Sequence, residues 1–308
     1  MITPPIRIGT RESQLALWQA EQVQQKLLQF GYASTLVPVK SEGDIDLHTP
    51  LYEIGIQGIF TRSLDIALLN NHIDMAVHSM KDVPTRLPEG IAMAAVLERG
   101  PVHDLLVYHD ASFMDNPESV ADIATSSIRR KAQWLARFPH HRVHNLRGNV
   151  NTRLRKLESE KWNGAIFAQA GLERIGLRPQ KSLVLDWMLP APAQGAILVV
   201  CRSDDHAVTE ACRHFHDAET AACTLAERDF LRELMGGCST PISALATMEG
   251  NTLHFRGNIF SPDGKQSATV EKRYAPAEAS LAGAHAAREL LQNGGKAIAA
   301  IIQNAHAS

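Results

Sequence analysis

No apolar run in this 308-residue chain reaches the ~18 residues that a membrane-spanning helix needs, so a helical membrane span is not expected. Cysteine is scarce. Cys201, Cys212, Cys223 and Cys238 lie far apart and form no C-x-x-C pair, which argues against a zinc knuckle and a disulfide scaffold. Charge of either sign is balanced, 31 Lys and Arg against 33 Asp and Glu, so the chain as a whole is not a polycation built for nucleic acid. The fourteen histidines are scattered, and His140, His141 and His144 lack the i,i+4 spacing of a helical metal pair, so no metal is expected. Repeats and low-complexity tracts are missing. The opening Met-Ile-Thr-Pro-Pro has no charged and apolar leader pattern, which makes a cytosolic location the expectation.

One absence is local. Between Thr125 and Leu157 there is no Asp or Glu, while Arg129, Arg130, Lys131, Arg137, Arg142, Arg147, Arg153, Arg155 and Lys156 crowd the same stretch. In a balanced chain such a cluster offers a positive field to an anionic partner, unless it is only a set of solvated helix faces. Ile128, Ala132 and Leu135 recur at helical spacing, so a helix begins near Ser127, with Thr125, Ser126 and Ser127 as candidate caps. Arg129 and Arg130 then occupy its first turn, the end where a cation is disfavoured unless an anion joins it. The design repeats. A strand over Val143–Leu146 and a turn at Arg147-Gly148 precede a helix capped by Asn149 or Asn151, with Val150, Leu154 and Leu157 facing the core. Arg147 and Arg153 flank that second helix start, and Arg155 and Lys156 face solvent.

The length suits two or three domains, and an apolar fraction of 44% is ordinary for a globular protein. Short apolar strands alternate with amphipathic helices over the first two-thirds, the pattern of α/β layers. The reading gives a strand at Arg7–Gly9, a helix from Ser13 to Phe30 stopped by Gly31, and a strand at Ser34–Val39. The polar segment from Ser41 to Gly58 reads as a loop. A helix with Phe60, Leu64, Ala67 and Leu68 inward and a buried strand at Met75–Ser79 follow. A second cluster starts near Leu105–Tyr108, and its last obvious strand is Ala165–Ala168. Leu189-Pro190-Ala191-Pro192 marks a domain crossing before a strand at Ala196–Cys201. From Asp217 the texture changes to a helix (Thr220 to Met235), three strands (Ala244–Met248, Leu253–Ile259, Ser267–Tyr274) and a closing Ala-rich helix from Ala277 to Gln292.

Three positions carry chemistry-bearing residues just after predicted elements. Lys81 and Asp82 follow the strand Met75–Ser79, where ligands gather in open α/β sheets, although on these residues alone a surface ion pair or a turn-forming Asp before Pro84 is the favoured explanation. Arg11 and Ser13 follow the first strand, and Ser13 can be a simple cap. Cys238, after Gly236-Gly237, is either a small buried hydrophobe or a reactive loop thiolate.

Seven ordered blocks give these residues a context: RESQLALWQA (Arg11–Ala20), HSMKDVP (His78–Pro84), TSSIRR (Thr125–Arg130), LRGNVNTRL (Leu146–Leu154), AGLERIGL (Ala170–Leu177), LPAPAQGA (Leu189–Ala196) and GGCSTPI (Gly236–Ile242). Together they closely resemble the porphobilinogen deaminase, or hydroxymethylbilane synthase, family from Ile6 to the C-terminal helix. The resemblance implies two α/β domains of the type II periplasmic-binding-protein kind, residues 1–99 with 196–216 and residues 100–195, plus a small α+β domain with a three-stranded sheet over 217–308. It implies a transferase that joins four porphobilinogen molecules head to tail into hydroxymethylbilane with loss of ammonia. The primer is a dipyrromethane cofactor held by a thioether to Cys238. By match to the family's motifs, Asp82 is the catalytic carboxylate. Lys81, Ser127, Arg129, Arg130 and Arg147 hold the cofactor, and Arg11, Ser13, Thr125, Ser126, Arg153 and Arg174 bind substrate. Each pyrrole unit carries two carboxylates, which arginine forks suit. A monomer without membrane or nucleic-acid partners is the corresponding expectation.

Two departures from the family pattern stand out. Glu53 and Gln57 occupy positions where lysine is usual, and Ala124 replaces the usual Gly before Thr-Ser-Ser. Two competing readings are a non-catalytic anion-binding protein and a nucleic-acid binder using the basic stretch. The latter lacks the interleaved aromatics that single strands require.

Overall fold

A computed structural model describes residues 4–40, 61–116, 118–234 and 240–307. The described residues form two compact units, one of residues 4–40, 61–100 and 195–221, the other of 101–194 with 222–307. Cys238, Gly236, Gly237, Glu53, Gln57, Phe60 and the predicted loop over 41–58 lie outside the described residues.

The first unit starts with β1 (Ile6–Thr10), α1 (Gln14–Gln29), β2 (Ser34–Pro38), α2 (Arg62–Leu69) and β3 (Met75–Ser79). A single 3-10 turn, Met80–Asp82, then leads on to β4 (Ile91–Val96). The second unit contains β5 (Asp104–Tyr108), β6 (Asp122–Ala124), α3 (Ile128–Arg137), β7 (Arg142–His144), α4 (Val150–Ser159), β8 (Gly164–Ala168), α5 (Gln169–Glu173) and β9 (Ser182–Leu185). The chain then gives the first unit β10 (Ile197–Arg202) and α6 (His206–Arg213), and α7 (Ala218–Glu233) leads back into the second.

Both five-stranded sheets have one plan. The first runs β2-β1-β3-β10-β4 and the second β7-β6-β8-β5-β9. In the first, β1 is parallel to β2 and β3, while β10 is antiparallel to β3 and β4. In the second, β6 is parallel to β7 and β8, while β5 is antiparallel to β8 and β9. The antiparallel strand of each sheet is the one the chain enters directly after leaving the other unit.

Period-two burial builds the layers. In the second sheet Leu105 and Val107 pack with Ala124, Ala165, Phe167 and Leu157 on one face. Leu106 joins Ile123, Ile166 and the fully buried Trp134 on the other. Burying each such side chain is worth ~1.5–3 kcal/mol.

The remaining part of the second unit is an antiparallel meander, β11 (Ile242–Glu249), β12 (Thr252–Phe260) and β13 (Ser267–Tyr274), covered by α7 and by α8 (Ala282–Leu290). Two sheet-plus-helix layers and a small three-stranded domain make the mixed α/β architecture that the resemblance implies.

Several expectations need correction. The strand expected over Val143–Leu146 is β7, Arg142–His144, because Leu146 turns into the core under Ser126. β9 follows the strand expected to be last in its cluster. The helix expected over Ala277–Gln292 opens as a 3-10 stretch, Pro276–Leu281, and does not close the chain: after the break at Asn293 (φ −94, ψ 39) and Gly294 (φ 98) a further helix follows, α9 (Lys296–Ala307).

Candidate functional site

Nearly every candidate side chain sits at the carboxyl end of a parallel strand, where helices begin and ligands gather. In the first unit β1 and β3 pair through Ile8↔Met75 and Gly9↔Ala76, so their exits emerge side by side. β1 delivers Arg11 and Ser13, and β3 delivers Lys81 and Asp82. The Ser13 hydroxyl accepts from the Ala16 N–H at 3.3 Å and caps α1, so the capping role is present. The Met80 N–H donates to Ala196 O at 3.0 Å, and Gln19 Nε2 donates to the Ser79 hydroxyl at 2.9 Å. These bonds fix the turn from which Lys81 and Asp82, both half-buried, project. His78, one strand position earlier, is buried beside Arg11. Burial, with the Arg11 charge adding to it, pulls its imidazole down to about 4. His78 is therefore neutral at physiological pH.

In the second unit β6 exits into Thr125-Ser126-Ser127. The Thr125 N–H donates to His144 O at 2.8 Å, and the Thr125 hydroxyl accepts from the Ser127 N–H at 3.2 Å. The buried Ser126 hydroxyl contacts Asn145 Oδ1 and the backbone of Leu146, tying the β6 exit to the β7 exit. Ser127 is the N-cap of α3, accepting from the Arg130 N–H at 3.4 Å. The helix keeps its predicted start.

Both guanidinium groups of its first-turn arginines are buried against one carboxylate of the chain. Arg129 Nη2 donates to Asp104 Oδ2 at 2.8 Å, and Arg130 Nη2 to Asp104 Oδ1 at 2.8 Å. Their second donors go to backbone carbonyls, Arg129 Nη1 to Leu189 O (2.8 Å) and Arg130 Nη1 to Ile166 O (2.9 Å). Gln194 Nε2 adds a bond to Asp104 Oδ1 at 2.9 Å. Burial pushes the Asp104 carboxyl up, but the two arginine charges outweigh it and hold the group well below the usual carboxylate range. Burial also lowers Arg129, against the pull of Asp104 and with repulsion from Arg130.

The β7 exit places Arg147, which is buried, before α4. Asn149, not Asn151, caps that helix by accepting from the Thr152 N–H at 3.0 Å, and Arg153 Nε donates to Gly148 O at 2.7 Å. Arg155 is exposed as expected and Lys156 half-buried. β8 runs into α5, whose C-cap is Arg174. Burial brings its guanidinium down to about 10, a shift that a bound carboxylate would reverse. Ala124 is fully buried at the end of β6.

Four side chains that sequence reasoning missed organise this half. Asp104 heads an apolar strand, and a carboxylate in that setting was the available signal. Gln194 also donates to Val102 O at 2.7 Å. Gln133, one turn beyond Arg129 on α3, donates to Leu189 O and to the Ser243 hydroxyl, both at 3.0 Å, and accepts from the Leu189 N–H. Glu227 on α7 is fully buried and accepts from the N–H groups of Ala193 (2.6 Å) and Ala246 (2.7 Å). It holds Ala193 in a left-handed conformation (φ 62) that costs an L-residue ~1–2 kcal/mol. No sequence pattern flags Gln133 or Glu227, because both act through backbone groups far along the chain.

Each unit by itself offers groups suited to carboxylates: the first has Arg11 and Lys81 at neighbouring strand ends with Asp82 beside them, and the second has arginines at two capped helix starts. Among the described residues no group of three or more His, Cys, Asp or Glu side chains is arranged to hold a metal ion, and no helix is long and apolar enough to cross a membrane. Cys201, Cys212 and Cys223 are buried, and burial raises the Cys212 thiol to about 12.

Among solved structures the chain is similar to the periplasmic VFT2 domain of BvgS from Bordetella pertussis (12% identity, covering 73% of this chain and 92% of that one, TM-score 0.43). It is also similar to YhfZ from Shigella flexneri (15% identity, 75% and 96% covered, TM-score 0.35). Likeness this remote says nothing about chemistry. Two family models are more specific. "Porphobilinogen deaminase, dipyromethane cofactor binding domain" matches residues 6–210, and "Porphobilinogen deaminase, C-terminal domain" matches residues 221–292. Arginine-lined strand ends, a carboxylate beside a lysine and two consecutive models of one enzyme agree in placing the chain in the porphobilinogen deaminase family of tetrapyrrole biosynthesis, with dipyrromethane as its cofactor.

Proposed function

We propose that this chain is a transferase that condenses four porphobilinogen molecules head to tail into hydroxymethylbilane, with one ammonia released at each addition. The reading includes a three-domain monomer acting in the cytoplasm, on the route to porphyrins and haem. The observation that carries it is the buried cation cluster at the start of α3 and its link to the C-terminal domain. Gln133 on the same helix bonds Ser243 at 3.0 Å, and Ser243 is five residues from Cys238.

The donor set fits dipyrromethane, which bears several carboxylates and little else that is charged. Arg129, Arg130, Arg147, Lys81 and the Ser127 hydroxyl would hold it, joined through Cys238 by a thioether. When bound, the group supplies the free pyrrole carbon that substrates are added to. Arg11, Arg153, Arg174, Ser13, Thr125 and Ser126 orient the incoming porphobilinogen by its acetate and propionate. Asp82 accepts a hydrogen bond from the substrate pyrrole N–H. As ammonia departs, a positive charge spreads over the substrate's methylene-pyrrole, and the fixed carboxylate stabilises it without reorganisation. The proton displaced from the attacked pyrrole carbon passes to the same carboxylate and on to the departed ammonia, which leaves as ammonium. The nucleophile is a carbon of the pyrrole, so no Ser-His-Asp or Cys-His set is required.

The test is incubation with porphobilinogen, followed as ammonia release and as uroporphyrin colour after acid and oxidation. Intact mass under denaturing conditions should show a dipyrromethane adduct that Cys238→Ser abolishes. A protein with no adduct that leaves porphobilinogen unconsumed sinks the reading and favours a simple anion-binding protein.

A further inference from the structure

Asp104 is not among the residues that the resemblance assigns, yet it joins two buried arginines in the second unit. It is fully buried, and both of its oxygens are committed. Oδ2 accepts from Arg129, and Oδ1 accepts from Arg130 and Gln194. A carboxylate facing a single arginine commonly forms a two-pronged fork. Here the two oxygens are divided between two arginines, so each guanidinium is pinned by one bond to Asp104 and one to a backbone carbonyl.

The charge does not close. Among the described residues, two guanidinium groups and one carboxylate leave +2 − 1 = +1 in a cluster whose members are all at least nine-tenths buried. An uncompensated charge in such surroundings carries a desolvation cost of several kcal/mol. A second observation points the same way: the buried Arg130 Nε has no hydrogen-bond partner among the described residues. An N–H donor sealed from water without an acceptor normally costs ~1–3 kcal/mol, so the cluster lacks an acceptor as well as a negative charge. One carboxylate supplies both.

We propose that Asp104 is a positioning residue that fixes Arg129 and Arg130 as a pair one negative charge short, making a subsite for a single carboxylate of the pyrrole ligand. One such group neutralises the cluster, whereas two would leave it negative and buried. The remaining ligand carboxylates are served by other cations. This inference rests on the reading that Arg129 and Arg130 meet the ligand, and it adds the residue that orients them and the number of carboxylates they take.

Two measurements test it on the full chain. In the first, dipyrromethane occupancy per folded molecule is read by intact mass for wild type, Asp104→Asn and Asp104→Glu. Occupancy should fall about tenfold in Asp104→Asn, the equivalent of ~1.4 kcal/mol of ligand binding, and recover substantially in Asp104→Glu. A purely structural Asp104 would lower the melting temperature and leave the folded fraction fully loaded. The second measurement does not require Asp104→Asn to fold. Propionate is titrated against chloride at equal ionic strength while melting temperature is followed. Cys238→Ser, which cannot tether the ligand, should gain a saturable rise of about 2–4 °C. The loaded wild type should gain none, because its subsite is filled. Cys238→Ser with Arg130→Gln should also gain little, since Arg129 and Asp104 already balance. Equal rises in all three, or full occupancy in Asp104→Asn, would overturn the inference. If wild type turns over porphobilinogen while either result appears, only the inference fails; if wild type neither loads nor turns over, the functional reading itself fails.

Discussion

In the first sheet the parallel strands β1 and β3 end in Arg11 and in Lys81-Asp82, side chains that stay partly open to solvent. In the second sheet the strand matching β1 is β6, and the helix after it buries Arg129 and Arg130 against Asp104. One topology therefore carries two treatments of charge. Burial with several bonds makes a rigid anchor whose geometry is set before a ligand arrives. Partial exposure leaves side chains able to follow a ligand that changes during reaction. On the proposed reading, the second sheet grips carboxylates and the first sheet handles the reacting pyrrole.

The largest effect should come from Asp82. Asp82→Ala is expected to cut turnover by roughly 10²–10³, the usual loss when one preorganised electrostatic partner is removed. Its half-buried position predicts an unchanged fold, checked by circular dichroism and melting temperature. Near-normal ammonia release would remove the division of labour between the sheets.

Next is the stability of the anchor. Asp104→Ala leaves two buried cations facing each other and should cost about 3–5 kcal/mol in urea unfolding. Arg129→Met should cost clearly less, since Arg130 and Asp104 still form a matched pair. If the arginine change proves the more damaging, the cluster is not short of negative charge and the anchor has been misread.

Acid should separate the two units. His78 has a folded value of about 4 against an ordinary 6.5, so between those values the unfolded chain binds more protons. Stability from this residue is complete above pH 6.5 and falls as pH drops toward 4. At ~1.4 kcal/mol per unit the loss approaches ~3 kcal/mol. Asp104 works in a lower window. Its folded value is depressed, so its contribution holds above 3.8 and is lost only below that. Hydrogen exchange at pH 4.5–5, corrected for intrinsic rates, should accelerate in β3 peptides before β5 and α3 peptides. His78→Asn should abolish the difference.

What the sequence made legible follows from range. Period-two and helical spacing located β1, β3, β8, β10, the meander and the start of α3, because burial acts residue by residue. The Ser13 and Ser127 caps were readable because a cap and its partner are three residues apart. The Arg129–Asp104–Arg130 cluster was not, because 25 residues and a strand order separate its members. The basic stretch without acids suggested cations awaiting an anion, and the chain's own Asp104 supplies one negative charge against the two of Arg129 and Arg130. β7 was drawn too long because Val143 and Leu146 are both apolar, yet Leu146 is held in the core by Ser126.

The smallest predicted effect examines the comparison at the backbone. Gly31 and Gly264 both have positive φ, 83 and 76, where an alanine is strained by ~1 kcal/mol. Around Gly31, after α1, an added Cβ meets nothing within 4 Å. Around Gly264, in the β12–β13 turn, it would lie 2.5 Å from Ala132 O and 2.8 Å from Ala136 N on α3. The same turn thus braces the helix that carries Arg129 and Arg130. Gly31→Ala should cost only the conformational ~1 kcal/mol, and Gly264→Ala about 1–3 kcal/mol more through forced separation of turn and helix. If the brace matters for the anchor, Gly264→Ala also lowers dipyrromethane occupancy while Gly31→Ala does not. Equal stability losses would mean that the turn yields freely, and that α3 is held by Gln133 and Asp104 alone.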